Sequence, residues 1–359
     1  MAHYSSHLRR SRRARELGIV ADGDEPGPYN AITDVPGVTV GHTTVRVEPD
    51  VHTGVTAVVP AGIGPHPGGT VLPAALFTAN GYGKLVGATQ LAELGQLESP
   101  VVLTSTLCAF RAADAVVSWM LARPEHAGVL SFNPVVGECN DGYLSDIRAR
   151  PVREEHVLAA IEGAAGGPVA EGCVGAGTGT CALGFKAGIG TASRQVGLEA
   201  AGTASVGVLT QANFGGTLRI AGAAVLPEPA GPPADPGPGE DGSCMVVVAT
   251  DAALDARQLG RLARRAVFAL GRVGASYGHG SGDYGLAFST SPLRGGVPAA
   301  VPDRCLDPLF GAVLSAVEES VLNALCAAVT TTGRLGRTVP AVPVDRLREL
   351  AGRASPSGA

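Results

Sequence analysis

A serine hydroxyl becomes a nucleophile when a base takes its proton, and histidine is the usual base. Here the eight histidines are scattered along the chain. No Gly-x-Ser-x-Gly elbow occurs: around Ser281 the residues run Gly278-His-Gly-Ser-Gly-Asp283, with His279 where the first glycine of such an elbow belongs. A serine can instead use its own α-amine, whose unperturbed pKa is about 8, provided the chain is cut immediately before it. Ser243 stands where that chemistry is feasible. Upstream lies Leu226–Gly242, seventeen residues with six prolines, four glycines and four acids, a composition that buries too little apolar surface to order itself and predicts a flexible surface loop. Downstream, Met245-Val-Val-Val-Ala-Thr250 reads as a core strand. Gly242 between them tolerates strained backbone geometry. An isolated Gly-Ser pair is more often an ordinary loop-to-strand turn, and the proline-rich segment reads equally as a tolerated insertion or an inter-domain linker.

Other candidate motifs carry less. Gly175-Ala-Gly-Thr-Gly179 and Gly62-Ile-Gly64 match neither a phosphate-binding loop nor a dinucleotide fingerprint, and tight turns explain them. No His-Glu-x-x-His occurs, so catalytic zinc is not expected. The formal net charge of −5 argues against a nucleic-acid partner. The basic cluster Arg9 to Arg15 reads as a solvated N-terminal tail. It has no apolar run behind it as a signal peptide would, and no apolar run reaches membrane-spanning length. Seven cysteines without a Cys-x-x-Cys, mostly among apolar neighbours, predict reduced core thiols in a cytoplasmic protein.

The elements that must position these residues are legible in outline. With 359 residues, 45% of them apolar, the chain can form one large domain or two ordinary ones; 51 glycines and 4% aromatics predict a core of small and branched side chains. Short β-branched runs at Val101–Thr106, Gly128–Phe132, Ala204–Thr210, Met245–Thr250 and Gly285–Thr290 predict buried strands. From Ala256 to Val273, Leu259, Leu262, Ala263, Ala266, Val267 and Leu270 form one helical face, with Asp255 placed to cap it. A second long helix is predicted from Asp307 to Val329, started by Asp307-Pro308, and shorter ones over Arg111–Leu121 and Asp345–Arg353. The order lacks a regular βαβ rhythm, which favours an α/β arrangement of sheets between helix layers over a Rossmann-like fold.

Several motifs in series identify a relationship. Ser243-Cys-Met-Val-Val-Val-Ala-Thr-Asp251 resembles the start of the small subunit in the DmpA-like L-aminopeptidase/D-esterase and β-aminopeptidase family. Ile32-Thr-Asp-Val-Pro-Gly-Val-Thr-Val-Gly-His42, Asn80-Gly-Tyr-Gly-Lys84, Glu93-Leu-Gly-Gln-Leu97, Pro100-Val-Val-Leu-Thr104, Pro134-Val-Val-Gly-Glu-Cys-Asn-Asp-Gly-Tyr143, Gln211-Ala-Asn-Phe-Gly215 and Gly280-Ser-Gly-Asp283 follow the same family pattern in the same order.

The resemblance implies one catalytic domain with a four-layer αββα sandwich, like that of N-terminal-nucleophile hydrolases but with its own connectivity. It implies self-cleavage into residues 1–242 and 243–359, no metal or other cofactor, and assembly into a homo-oligomer of four subunits or more. The implied substrates are short peptides, amides or esters with a free amino group. Ser243 would be the nucleophile. Ser281 would hydrogen-bond near it, oriented by Asp283, where the family often has glutamate. Asn213 would donate its amide to the tetrahedral oxyanion, and Glu138 would bind the substrate amine. Asn140 and Tyr143 stay outside this set, Tyr143 being either core or pocket wall. Two further readings remain at this stage: an acyltransferase using the same Ser243, and a non-catalytic α/β ligand-binding protein whose chain would stay whole.

Overall fold

The runs of Val, Ala, Thr and Gly form strands, and the structure, a computed structural model, describes residues 13–20, 24–66, 68–199, 202–228, 242–291 and 301–354. In chain order the strands of the two main sheets are β1 (Val38–Val47), β2 (Val51–Pro60), β3 (Leu72–Gly81), β4 (Gln96–Leu97), β5 (Val101–Ser105), β6 (Val135–Cys139), β7 (Ile189–Leu198), β8 (Gly202–Gln211), β9 (Ser243–Thr250) and β10 (Gly282–Ser289). The helices are α1 (Ala88–Glu93), α2 (Ala109–Leu121), α3 (Glu154–Glu162), α4 (Ala256–Val273), α5 (Asp307–Ala327) and α6 (Val344–Ala354).

One sheet has the order β1-β2-β5-β6 and the other β4-β3-β10-β9-β8-β7. Helices α2 and α3 cover the first sheet, and α4 and α5 cover the second. This is a four-layer αββα sandwich with three apolar seams. Val102, Val116 and Ile161 fill the seam under α2 and α3. Leu103, Leu209 and Val247 fill the one between the sheets. Val208, Leu262 and Val317 fill the one under α4 and α5.

Strand β9 shows why its sequence is continuously apolar. Cys244, Val246 and Val248 face α4 and α5, whereas Met245, Val247 and Ala249 face the other sheet. With both faces buried, alternation disappears. Its neighbour β10 runs parallel to it, which requires a crossover, and α4 supplies one. That helix starts as the sequence predicts: Asp255 Oδ1 accepts the Gln258 N–H at 2.7 Å, and Gln258 Oε1 accepts the Asp255 N–H at 3.2 Å, a reciprocal cap. Gly285 lets α4 lie directly on β10, because a Cβ there would overlap the Ala263 carbonyl.

Most predicted elements form within a few residues of their expected bounds, and β9 begins two residues earlier than Met245, at Ser243 itself. Four expectations need correction or restriction. Gly128–Phe132 is not a strand; Leu130 is fully exposed, and the strand forms just downstream as β6, where both faces can be buried. The N-terminal arginines are not a solvated tail where they are described. Arg13 Nε pairs with Glu171 at 3.0 Å and Arg15 Nη2 with Glu319 at 2.8 Å, both carboxylates being buried. Helix α5 is long and apolar enough to cross a bilayer, contrary to the reading that no such run exists, but it is mostly buried against β7 and β8 as a core helix. The greater part of the predicted flexible loop, residues 229–241, lies outside the described residues.

Candidate active site

Ser243 is the first residue of β9, is 3% exposed, and shares the strand parity of Met245, which faces the opposing sheet. Three backbone contacts fix the junction before it. The Ser243 N–H donates to the Asn213 carbonyl at 2.5 Å, and the Gly282 N–H donates to the Gly242 carbonyl at 3.2 Å. From the other sheet, the Cys139 thiol at the end of β6 donates to the Ser243 carbonyl at 2.8 Å. Only glycine fits at position 242, since a Cβ would overlap the backbone of Asn213.

The parallel register sets Ser243 beside Gly282 and Cys244 beside Asp283. Ser281 and Asp283 thus flank the residue that holds the Gly242 carbonyl. Ser281 Oγ donates to Asp283 Oδ1 at 2.8 Å, and Asn80 Nδ2, from β3, donates to Asp283 Oδ2 at 3.0 Å. Burial pushes the Asp283 carboxyl above its ordinary range, opposed by these two hydrogen bonds and by the Cys244 N–H. Among the described residues no side-chain hydrogen bond joins Ser243 to Ser281 or Asp283 in the uncut chain, and no histidine bonds to any of the three.

Asn80 has no assigned role in the sequence reading. It belongs to the segment Asn80-Gly-Tyr-Gly-Lys84, but its partner lies 203 residues away, and the antiparallel pairing of β3 with β10 brings the two opposite each other. Asn80 Nδ2 also reaches the carbonyls of Tyr277 and Gly278, at 3.0 and 3.2 Å.

Glu138 precedes Cys139 in β6 and is buried rather than a surface acid. Its Oε1 accepts the Lys84 N–H at 2.9 Å, with Lys84 Nζ 4.0 Å away. Its Oε2 is buried without a hydrogen-bond partner. A buried carboxylate oxygen left open has room to accept a hydrogen bond from a bound cation. Burial first, and then the charges of Glu138 and Asp283, raise the Tyr284 hydroxyl above its ordinary value.

Asn213 follows β8. Its Oδ1 accepts the Cys181 N–H and its Nδ2 donates to the Asn140 carbonyl, both at 3.0 Å. One N–H of its amide is thereby used and the group's orientation is fixed. Beyond Asn213 and Gly242 opens a cavity of about 340 Å³, also lined by Asn140, Tyr143, Cys181 and Arg337. Tyr143 is therefore pocket wall. Among the described residues no group of three or more His, Cys, Asp or Glu side chains is arranged to hold a metal ion.

The arrangement supplies a buried serine at a glycine junction, a polarised carbonyl on that glycine, and an open carboxylate nearby. These are parts for acyl transfer at an amine-bearing substrate.

Comparison with known proteins places these features in a wider set. The model of peptidase family S58 matches residues 30–339. Beta-peptidyl aminopeptidase BapA of Sphingosinicella microcystinivorans is 42% identical over 369 aligned positions, covering 94% of this chain and 91% of that protein. The crystal structure of the PH0078 protein from Pyrococcus horikoshii OT3 superposes with a TM-score of 0.86 at 41% identity, covering 95% of this chain and 99% of that one. The L-aminopeptidase D-Ala-esterase/amidase of Ochrobactrum anthropi, described as a prototype for the serine aminopeptidases and a new variant among the Ntn hydrolase fold, superposes with a TM-score of 0.83 at 36% identity, covering 95% and 98%.

Proposed function

The chain belongs to peptidase family S58, and from that premise we propose that it is a self-processing aminopeptidase whose acyl-enzyme forms on Ser243. One observation carries the reading. Gly242–Ser243 joins a proline-rich segment to a buried core strand, and the Gly242 carbonyl is already held by the Gly282 N–H.

In self-cleavage, Ser243 Oγ attacks the Gly242 carbonyl carbon, its proton passes to the Ser243 nitrogen, and the C–N bond breaks, giving an ester and a free Ser243 amine. Water then hydrolyses the ester, leaving Gly242 as a carboxylate and restoring the hydroxyl. The Gly282 N–H stands where negative charge develops on the Gly242 oxygen. The freed amine no longer donates as an amide to Asn213 and can turn toward Ser281, whose hydroxyl Asp283 and Asn80 hold in place.

In turnover, the neutral amine, directly or through Ser281, takes the proton of Ser243 Oγ as that oxygen attacks the substrate carbonyl. The remaining Asn213 N–H serves the oxyanion, a contribution of roughly 3–4 kcal/mol for a preorganised donor. The same proton goes to the leaving amine. Water then releases the acyl group by the reverse sequence. Glu138 Oε2 binds the substrate ammonium, which makes a free N-terminus a requirement. Short peptides, amides or esters with a free amine are the substrate class.

Intact-mass measurement tests the reading. Wild type is expected as two fragments, residues 1–242 and 243–359. Ser243→Ala is expected as a single chain of 36.0 kDa with activity lowered about 10⁴-fold or more. A wild type that stays whole yet hydrolyses substrates fully sinks the mechanism.

A further inference from the structure

Arg337 is the charged residue in the wall of the cavity beside Gly242. Its guanidinium lies 4.8 Å from the centroid of the Tyr143 ring and donates one long hydrogen bond, from Nη1 to the Tyr143 carbonyl at 3.4 Å. Among the described residues no carboxylate pairs with it, whereas Arg334, three residues earlier, has Asp146 at 3.9 Å. The position is nevertheless fixed. The Gly333 N–H donates to the Arg337 carbonyl at 2.8 Å, and the Arg334 N–H to the Leu144 carbonyl at 2.9 Å. Next to it, Val339 packs with Leu144 and Cys181 in a small apolar cluster. A half-buried guanidinium stacked on a tyrosine, with most of its donors unused, is preorganised for a planar anion.

The other pole of the site is Glu138 Oε2, an open acceptor for an ammonium. Ser243 is linked toward both: Cys139, which follows Glu138 in β6, donates to its carbonyl, and its N–H donates to the carbonyl of Asn213, which lines the cavity. A substrate whose amine sits at Glu138 has its acyl residue there, so an anion reaching the cavity belongs to the leaving residue. We propose that Arg337 is a specificity-determining residue that receives the carboxylate of that leaving residue, so that the preferred substrates are zwitterionic dipeptides. This rests on the aminopeptidase reading above. The carboxylate can be the chain terminus or an acidic side chain, and the terminus is favoured because a dipeptide then places one charge at each pole.

The test uses the self-cleaved protein and three substrates: alanylglycine or β-alanylglycine, whichever wild type cleaves faster, its C-terminal amide, and the corresponding aspartyl amide. Wild type is expected to favour the free acid over the amide by about tenfold in kcat/KM, chiefly through KM. Added salt should narrow the gap. Arg337→Gln should abolish the preference, and Arg337→Lys should keep part of it, while intact mass shows self-cleavage in both. The aspartyl amide should resemble the plain amide; if it surpasses the free acid, the terminal assignment is overturned. Equal treatment of acid and amide by wild type overturns the inference without any variant, and leaves the aminopeptidase reading standing. No turnover of any of the three by cleaved wild type removes that reading, and this one with it.

Discussion

Two buried glutamates occupy similar depths and do opposite things. Glu319, on α5, is fully buried, and both of its oxygens are occupied. Oε1 accepts from Asn30 Nδ2 at 2.7 Å, and Oε2 takes Arg15 Nη2 and Arg194 Nη2, both at 2.8 Å. Glu138, on β6, is 2% exposed, yet one oxygen has a backbone partner and the other has none. Burial alone therefore does not mark a functional acid. An acid with every acceptor filled is part of the scaffold, since removing it would strand its cations. An acid kept dry with one acceptor open is held ready for a ligand.

The largest expected effect falls on the filled acid. Glu319→Ala removes the carboxylate held at 2.8 Å by both Arg15 and Arg194, and leaves the fully buried Arg194 with Asp24 at 3.8 Å. A loss of about 3–5 kcal/mol of stability is expected, read as an earlier urea midpoint. At low temperature the surviving folded protein should still self-cleave, because no part of this network touches Ser243. An unchanged midpoint would break the contrast between the two acids.

The Glu319 network also shows where sequence reading stops. Arg13 and Arg15 resemble any basic tail, and nothing local says that they reach residues 158 and 304 positions away. Helix α4 was legible because its cause is local: a 3.6-residue apolar stripe and a cap three residues long. The loop-to-strand junction at Ser243 was legible because a change in composition ends beside it. Asn80 lies in a motif whose sequence gives it no role, because its partner Asp283 is fixed by strand register. Likewise, Gly128–Phe132 and Val135–Cys139 are similar apolar runs separated by Asn133-Pro134. Which of them becomes the strand beside β5 is decided by what covers it.

Glu138→Gln should produce the next largest effect, and of a different kind. Removing the charge weakens capture of the substrate ammonium, so kcat/KM for free-amine substrates is expected to fall about 30- to 100-fold, consistent with the loss of a charged hydrogen bond worth roughly 2–3 kcal/mol. Stability should hold or rise slightly, since the one cation near it, Lys84 at 4.0 Å, is exposed to solvent. Self-cleavage should persist, because the Gly242–Ser243 junction presents no free amine. A large fall in thermal midpoint would mean that Glu138 belongs with Glu319 as scaffold.

Asp141 sharpens the rule, because it is as buried as Glu138 and also has an oxygen without a hydrogen-bond partner. Its Oδ1 accepts the Ser105 hydroxyl at 2.8 Å and its Oδ2 has no partner. It sits behind Gly179 in the cavity wall, where a Cβ on that glycine would press on the Asp141 side chain. Below about pH 6 a proton completes the site, because burial pushes the carboxyl up to about 6. The folded protein then holds this proton more tightly than the unfolded chain does. Its contribution to stability is full below the unfolded value near 4, and it is lost as pH rises through about 6. Between pH 5 and 7 the loss is about 1 kcal/mol. Glu171, raised to about 7 by burial against the pull of Arg13, adds a slope of the same sign, so the comparison must be between proteins that share it. In the uncleaved Ser243→Ala background, where one chain unfolds, urea titrations at pH 5, 6 and 7 should show a shallower decline once Asp141→Asn is added. Parallel curves would mean that Asp141 keeps its charge with one oxygen open and nothing bound to it. An open oxygen at Glu138 would then no longer distinguish a binding acid from a merely buried one.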